Sequence, residues 1–105
     1  MPVRSVRRRY LNLHIEAERL SEDSLNRVIE SKIHFLYGVK GAVEINYKLI
    51  DYIPDENRAI IRCNHNRLNE MRVVLAHITE AEKRPCRIDV TLVSGTIKSL
   101  RKHLP

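Results

Sequence analysis

A chain of 105 residues that is 43% hydrophobic and 30% charged can bury about two-thirds of its unfolded surface in one core, so it folds without disulfide staples or a structural metal. No apolar run approaches the ~20 residues that span a bilayer, and the arginine-rich opening lacks the apolar core of a secretory signal, which sets the expectation of one cytoplasmic domain over residues 1–105, away from membranes. The net charge of +6 is unevenly placed: four arginines and no acid in residues 1–10, nine acids against five bases in residues 11–57, and three bases with no acid in residues 94–105. Positive charge gathered in this way points to a polyanionic partner.

The first strand alternates Leu11, Leu13, Ile15 and Ala17 with Tyr10, Asn12, His14 and Glu16, a sheet pattern with one covered side. Ser21 then suits a helix N-cap, with Glu22 and Asp23 where the helix dipole favours negative charge. Leu25, Val28, Ile29, Ile33 and Leu36 form the apolar stripe, and Gly38 is expected to end the helix. A second strand follows as Val43, Ile45, Tyr47 and Leu49, and residues 51–57, with Pro54, make the turn. In the third strand Ala59, Ile61 and Cys63 take the covered side and Arg58, Ile60 and Arg62 the other. Asn64 and Asn66 are candidate caps for a helix striped by Leu68, Met71, Leu75 and Ile78, with Arg67, Glu70 and Arg72 on its wet side. Ile88, Val90 and Leu92 alternate in a fourth strand, and residues 97–103 form a short terminal helix.

The order βαββαβ predicts an α+β fold: a ferredoxin-like, RRM-like sandwich with a four-stranded antiparallel sheet, two helices on one face and a short C-terminal helix. In the expected order four-one-three-two, the first and third strands run the same way and the fourth runs against the first. That direction gathers Arg7, Arg8, Arg9, Arg58, Lys98, Arg101 and Lys102 at one end of the sheet, and these are the candidate RNA-binding residues. Tyr10, Ile60 and Val93, expected on the face away from the helices, are the candidate protein-interface residues.

Other chemistry finds little support. The five histidines form no helical ligand pair, and Cys63 with His65 lacks a second pair, so no metal site is expected. Glu22 with Asp23 suits a helix start and Asp55 with Glu56 a solvated turn, leaving no catalytic candidate. Ser94, Gly95 and Thr96 read as a helix cap. Cys63 and Cys86 lie in apolar alternations and are expected to be buried, reduced and unpaired. Tyr10 is the one aromatic on the two central strands and does not make a base-stacking platform, so nucleic acid is expected to be held through its phosphates and shape.

Arg9-Tyr10-Leu11, Tyr37-Gly38 with Gly41, Ile60-Ile61-Arg62-Cys63, Arg72 with Leu75, and Ser94-Gly95-Thr96-Ile97-Lys98 stand in an order that resembles the archaeal ribonuclease P protein component 2 family across nearly the whole chain. The resemblance implies a non-catalytic subunit of the ribonucleoprotein that removes the 5′ leader of precursor tRNA. It further implies that the RNA subunit is the catalyst, with any divalent metal belonging to it and no cofactor in this chain. The implied partners are ribonuclease P RNA, a TIM-barrel protein subunit, and a second copy of the chain within a heterotetramer. The alternatives are a paralogous subunit or ferredoxin-like module that contacts mainly protein, and a free-standing nuclease or small-molecule enzyme.

Overall fold

The computed structural model describes residues 7–104. Arg4, counted in the basic lead, lies outside them. The elements are β1 (Arg8–Ala17), α1 (Glu22–Ile45), β2 (Lys48–Ile53), β3 (Arg58–Asn64), α2 (Leu68–Ala76), β4 (Glu80–Ala81), β5 (Arg84–Ser94) and α3 (Ile97–Lys102), with single 3-10 turns at Pro54–Glu56 and His65–Arg67. The fold is α+β, and the sheet order is β2-β3-β1-β5-β4.

The sheet has five strands rather than four, because the chain leading into the last strand folds into a small hairpin. Glu80 and Ala81 pair with Pro85 and Arg84, and Glu82 and Lys83 make the turn with φ of 52° and 64°. Strand direction also differs from expectation. β1 runs antiparallel to β3, with Arg8 opposite Asn64 and His14 opposite Arg58. The whole sheet is antiparallel, since β5 against β1 and β2 against β3 pair the same way.

Ser21 caps α1 through its hydroxyl, which accepts from Ser24 N–H at 3.2 Å. Leu25, Ile29 and Ile33, one helical turn apart, bury the inner stripe. Gly38 does break the helix, with φ of 71° and ψ of −172°, but it does not end it. Residues 39–45 resume helical conformation until Asn46, at φ 52°, closes the helix by donating its backbone N–H to Ala42 O. The strand expected from Val43 therefore begins at Lys48. The alternation over residues 42–49 was ambiguous because the resumed helix needs to bury only Ile45 on this turn, leaving Val43 exposed. After the break the backbone folds close: a Cβ on Gly41 would collide with the Cβ of Tyr37.

The core lies between the sheet and the pair α1 and α2, where Leu11, Leu13 and Ile15 of β1 meet Ala59, Ile61 and Cys63 of β3 and Met71, Val74 and Leu75 of α2. Each large apolar side chain taken fully from water contributes about 1.5–3 kcal/mol. The other face is not open. α3, capped by Thr96 Oγ1 accepting from Ser99 N–H at 3.1 Å, packs back on β5 and β1. Ile60 and Leu100, both buried and both outside the main core, lie in the layer beneath it.

A bulge shapes β5. Asn12 is opposite Leu92 and Leu13 is opposite Val90, which leaves Thr91 as an extra residue. Past it the alternation inverts, so Val93, opposite Leu11, packs against the core. The Thr91 hydroxyl fastens the bulge to β1, accepting from Asn12 Nδ2 at 2.7 Å and donating to Asn12 O at 3.2 Å.

Candidate nucleic-acid interface

Strand pairing decides which cations share a neighbourhood. Arg7, Arg8 and Arg9 lead into β1, beside the last residues of β3 and β5: Arg8 is opposite Asn64, Arg9 opposite Cys63, and Tyr10 lies between Arg62 and Ser94. Arg7 is fixed through its backbone, its carbonyl accepting from His65 N–H at 2.9 Å. Arg7 and Arg8 are exposed, while Arg9 is half-buried on the core-facing side. The Arg9 guanidinium reaches toward Gly95, where an added Cβ would come within 3.0 Å of its Nη1. That contact ties β1 to the turn before α3, so Lys98 in the first turn of α3 joins the same end of the sheet.

Arg58 does not. Because β1 and β3 are antiparallel, the start of β3 lies at the far end, where Arg58 is opposite His14 and its Nη2 bonds Glu56 at 2.8 Å. Arg62, at the other end of β3, is in turn brought near: it is opposite Tyr10 and also opposite Lys48. A consistently antiparallel reading of the sheet would have found Arg62 and Lys48 from the sequence. Arg101 and Lys102 follow Lys98 by about a turn of helix, which carries them across the sheet face away from the strand ends. Arg101 there approaches Asp51 of β2 at 3.7 Å. The basic end of the sheet therefore consists of Arg7, Arg8, Arg9, Arg62, Lys48 and Lys98.

Arg67 serves the scaffold. Its Nη2 lies 2.8 Å from Glu44 and its Nη1 3.6 Å from Glu70, joining the end of α1 to the start of α2. Asn64, expected as a cap for α2, instead donates Nδ2 to Glu44 O at 2.9 Å. Arg72 is exposed on α2.

The expected protein-facing residues are placed differently from the prediction. Ile60 is only 2% exposed because α3 covers its face, and Val93 faces the core because of the bulge. Tyr10 remains half-buried beside Arg62. The most exposed large apolar residues lie on α1, Phe35 at 80%, Val39 at 73% and Val43 at 72%, with Val73 of α2 at 39%. Lys32 Nζ stands 5.4 Å above the Phe35 ring. Val39 and Val43 were not legible as a helical pair while α1 was expected to stop at Gly38.

Cys63 and Cys86 are buried and unpaired. Burial pushes the Cys63 thiol up to about 11, with the Glu70 carboxylate adding and Arg9 opposing. Among the described residues no group of three or more His, Cys, Asp or Glu could hold a metal ion, and no helix is long and apolar enough to cross a membrane.

The sequence model of the Rpp14/Pop5 family matches residues 9–105. Ribonuclease P protein component 2 of Methanococcus aeolicus is 31% identical over 97 residues, covering 91% of this chain and 70% of that protein. Among solved structures, a chain in a cryo-EM structure of yeast ribonuclease MRP matches with a TM-score of 0.70 at 13% identity, over 90% of this chain and 79% of that one. At that identity the likeness concerns the fold.

Proposed function

The chain belongs to the Rpp14/Pop5 family and is a protein subunit of ribonuclease P, and from that premise we propose that it supports the catalytic RNA by neutralising phosphates at the basic end of its sheet. The observation that carries this reading is the convergence of Arg7, Arg8, Arg62 and Lys48 through strand pairing, with Lys98 joined by the turn after β5. Phosphate neutralisation releases counterions, and it requires exposed cations without carboxylates beside them. Arg7 and Arg8 meet that requirement, whereas Arg67 and Arg58 already face acids.

In this reading the protein carries no catalytic residue and no cofactor. The hydrolysis that frees the 5′ leader of precursor tRNA belongs to the RNA in the cytoplasm. The scaffold is a ferredoxin-like sandwich extended by the β4 hairpin. A second reading, contact mainly with protein, is favoured by Phe35, Val39 and Val43, since three strongly exposed apolar side chains on one helix form a surface that association would cover. The two are compatible: α1 meets the TIM-barrel subunit, or a second copy within a heterotetramer, while the strand ends meet RNA. Cleavage of precursor tRNA assayed with the reconstituted proteins, with and without the RNA subunit, tests the proposal. Activity is expected only with the RNA and should be stimulated by this chain; cleavage by the chain alone would overturn it.

A further inference from the structure

On the face that α3 crosses lies a cavity of about 460 Å3 with Asn12, His14, Arg58, Leu92, His103 and Leu104 in its walls. Its size is within the range of small-ligand sites. Two polar groups in those walls lack partners among the described residues. Asn12 is 6% exposed, and while its Nδ2 bonds Thr91, its Oδ1 is sealed from solvent and bonds nothing among the described residues. Arg58 gives Nη2 to Glu56, while its Nε is equally sealed and unpartnered. Arg58 is opposite His14 and Asn12 opposite Ile60, so an orphan acceptor and an orphan donor occupy diagonal positions on adjoining strands. Buried polar groups are ordinarily satisfied, and a pair left open beside a cavity marks a place for a complementary ligand.

We propose that this cavity takes one unpaired nucleobase of the bound RNA, an edge N–H of the base donating to Asn12 Oδ1 and an edge acceptor receiving from Arg58 Nε. The inference rests on the RNA-binding reading above and adds to it a contact that phosphate neutralisation does not supply. A phosphate fits poorly, because the Arg58 charge already faces Glu56 at 2.8 Å. A flat base fits well. Every base carries a donor and an acceptor on one edge, and the imidazoles of His14 and His103 with Leu92 and Leu104 offer flat and apolar walls to its faces. From Arg8 to Asn12 the distance along β1 is about 13 Å, so a strand held by phosphates at the basic end can deliver a base here. One wall is formed by His103 and Leu104, which follow the six-residue helix α3; a helix that short has low isolated stability, so in this proposal that wall shifts to uncover the two orphan groups and admit the base.

The test uses an RNA hairpin with one bulged adenosine and the same hairpin with an abasic residue at the bulge. The full chain should bind the first about tenfold more tightly, the low end of what one stacked base contributes. Asn12→Leu should abolish that preference and leave the salt dependence of binding unchanged. Equal binding to both hairpins with a normal salt slope would overturn the pocket while leaving the RNA-binding reading intact; no binding to either would overturn both. Should Asn12→Leu fail to fold, NMR titration of the unaltered protein decides. Adenosine monophosphate, but not ribose phosphate, should shift the ring resonances of His14 and His103, and equal shifts with the two compounds, or none with either, would overturn the proposal.

Discussion

Cys63 shows how a residue's environment sets its chemistry. Its side chain is on the core-facing side of β3 opposite Arg9, and Arg9 lowers its pKa less than burial and Glu70 raise it. The thiolate is the reactive form, so native Cys63 should alkylate slowly at neutral pH and quickly only on unfolding. Cys86, also buried and with its thiol pushed up by burial, should behave likewise. The folded state holds the Cys63 proton more tightly than the unfolded chain does. Its contribution to stability is therefore complete below pH 9.0 and declines as the pH rises toward about 11. Denaturant titrations across that range should show Cys63→Ala losing less stability with pH than the unaltered protein; identical slopes would contradict this account. Burial of both cysteines was legible because each sits in an apolar alternation. The opposition of Arg9 and Glu70 at Cys63 was not, since it depends on which elements pack together.

Among the elements, α3 departs furthest from its sequence. Residues 97–103 read as a brief cationic helix with one obvious role, charge, yet its apolar Leu100 is fully buried and its body closes the sheet face over Ile60. Leu100→Ala should cost about 2–5 kcal/mol if the contact survives to global unfolding. If α3 detaches first the measured loss will be smaller, and amide exchange in residues 97–102 will rise ahead of β1. The same experiment separates a wall that moves from one that is fixed. α1 departs for a different reason. Gly38 has a positive φ but a ψ of −172°, so it interrupts the helix without capping it, whereas Asn46, eight residues on, takes the left-handed conformation that ends a helix, and sequence alone does not say which of the two is the terminus. The strands β1 and β3 were legible nearly in full, because period-two alternation with one buried face leaves little freedom.

For the whole molecule, charge placement depends on strand direction, and one wrong direction exchanged Arg58 for Arg62. With the sheet antiparallel throughout, Arg7 and Arg8 are exposed at the basic end, as are Lys48 and Lys98. The double substitution Arg7→Ala, Arg8→Ala should flatten the log-log salt dependence of RNA binding, by up to about 0.9 per lost contact on the duplex-DNA scale, with stability changed by within about 0.5 kcal/mol. Arg72→Ala, on exposed α2, should leave the slope unchanged. Equal slopes for the unaltered protein and the double variant would remove Arg7 and Arg8 from the interface. The apolar surface of Phe35, Val39 and Val43 lies on α1, across the sheet from α3, so the molecule can present one side to a protein and the basic strand ends to RNA.

The extra residue in β5 makes the strand a phase shifter: it enters with one parity and leaves with the other. Removing Thr91 would restore regular pairing while keeping Val90 and Val93 inward and Leu92 outward, so the chain should still fold, with Asn12 deprived of its hydroxyl partner. Removing Val90 instead would also cancel the extra residue, but it would set the Thr91 hydroxyl opposite Leu13, where Val90 now packs on the core. Thermal denaturation of the two single-residue deletions should therefore rank them in that order. A strand that can lose one residue at one position alone carries its length tolerance as a local property, like a seam sewn with a single slack stitch.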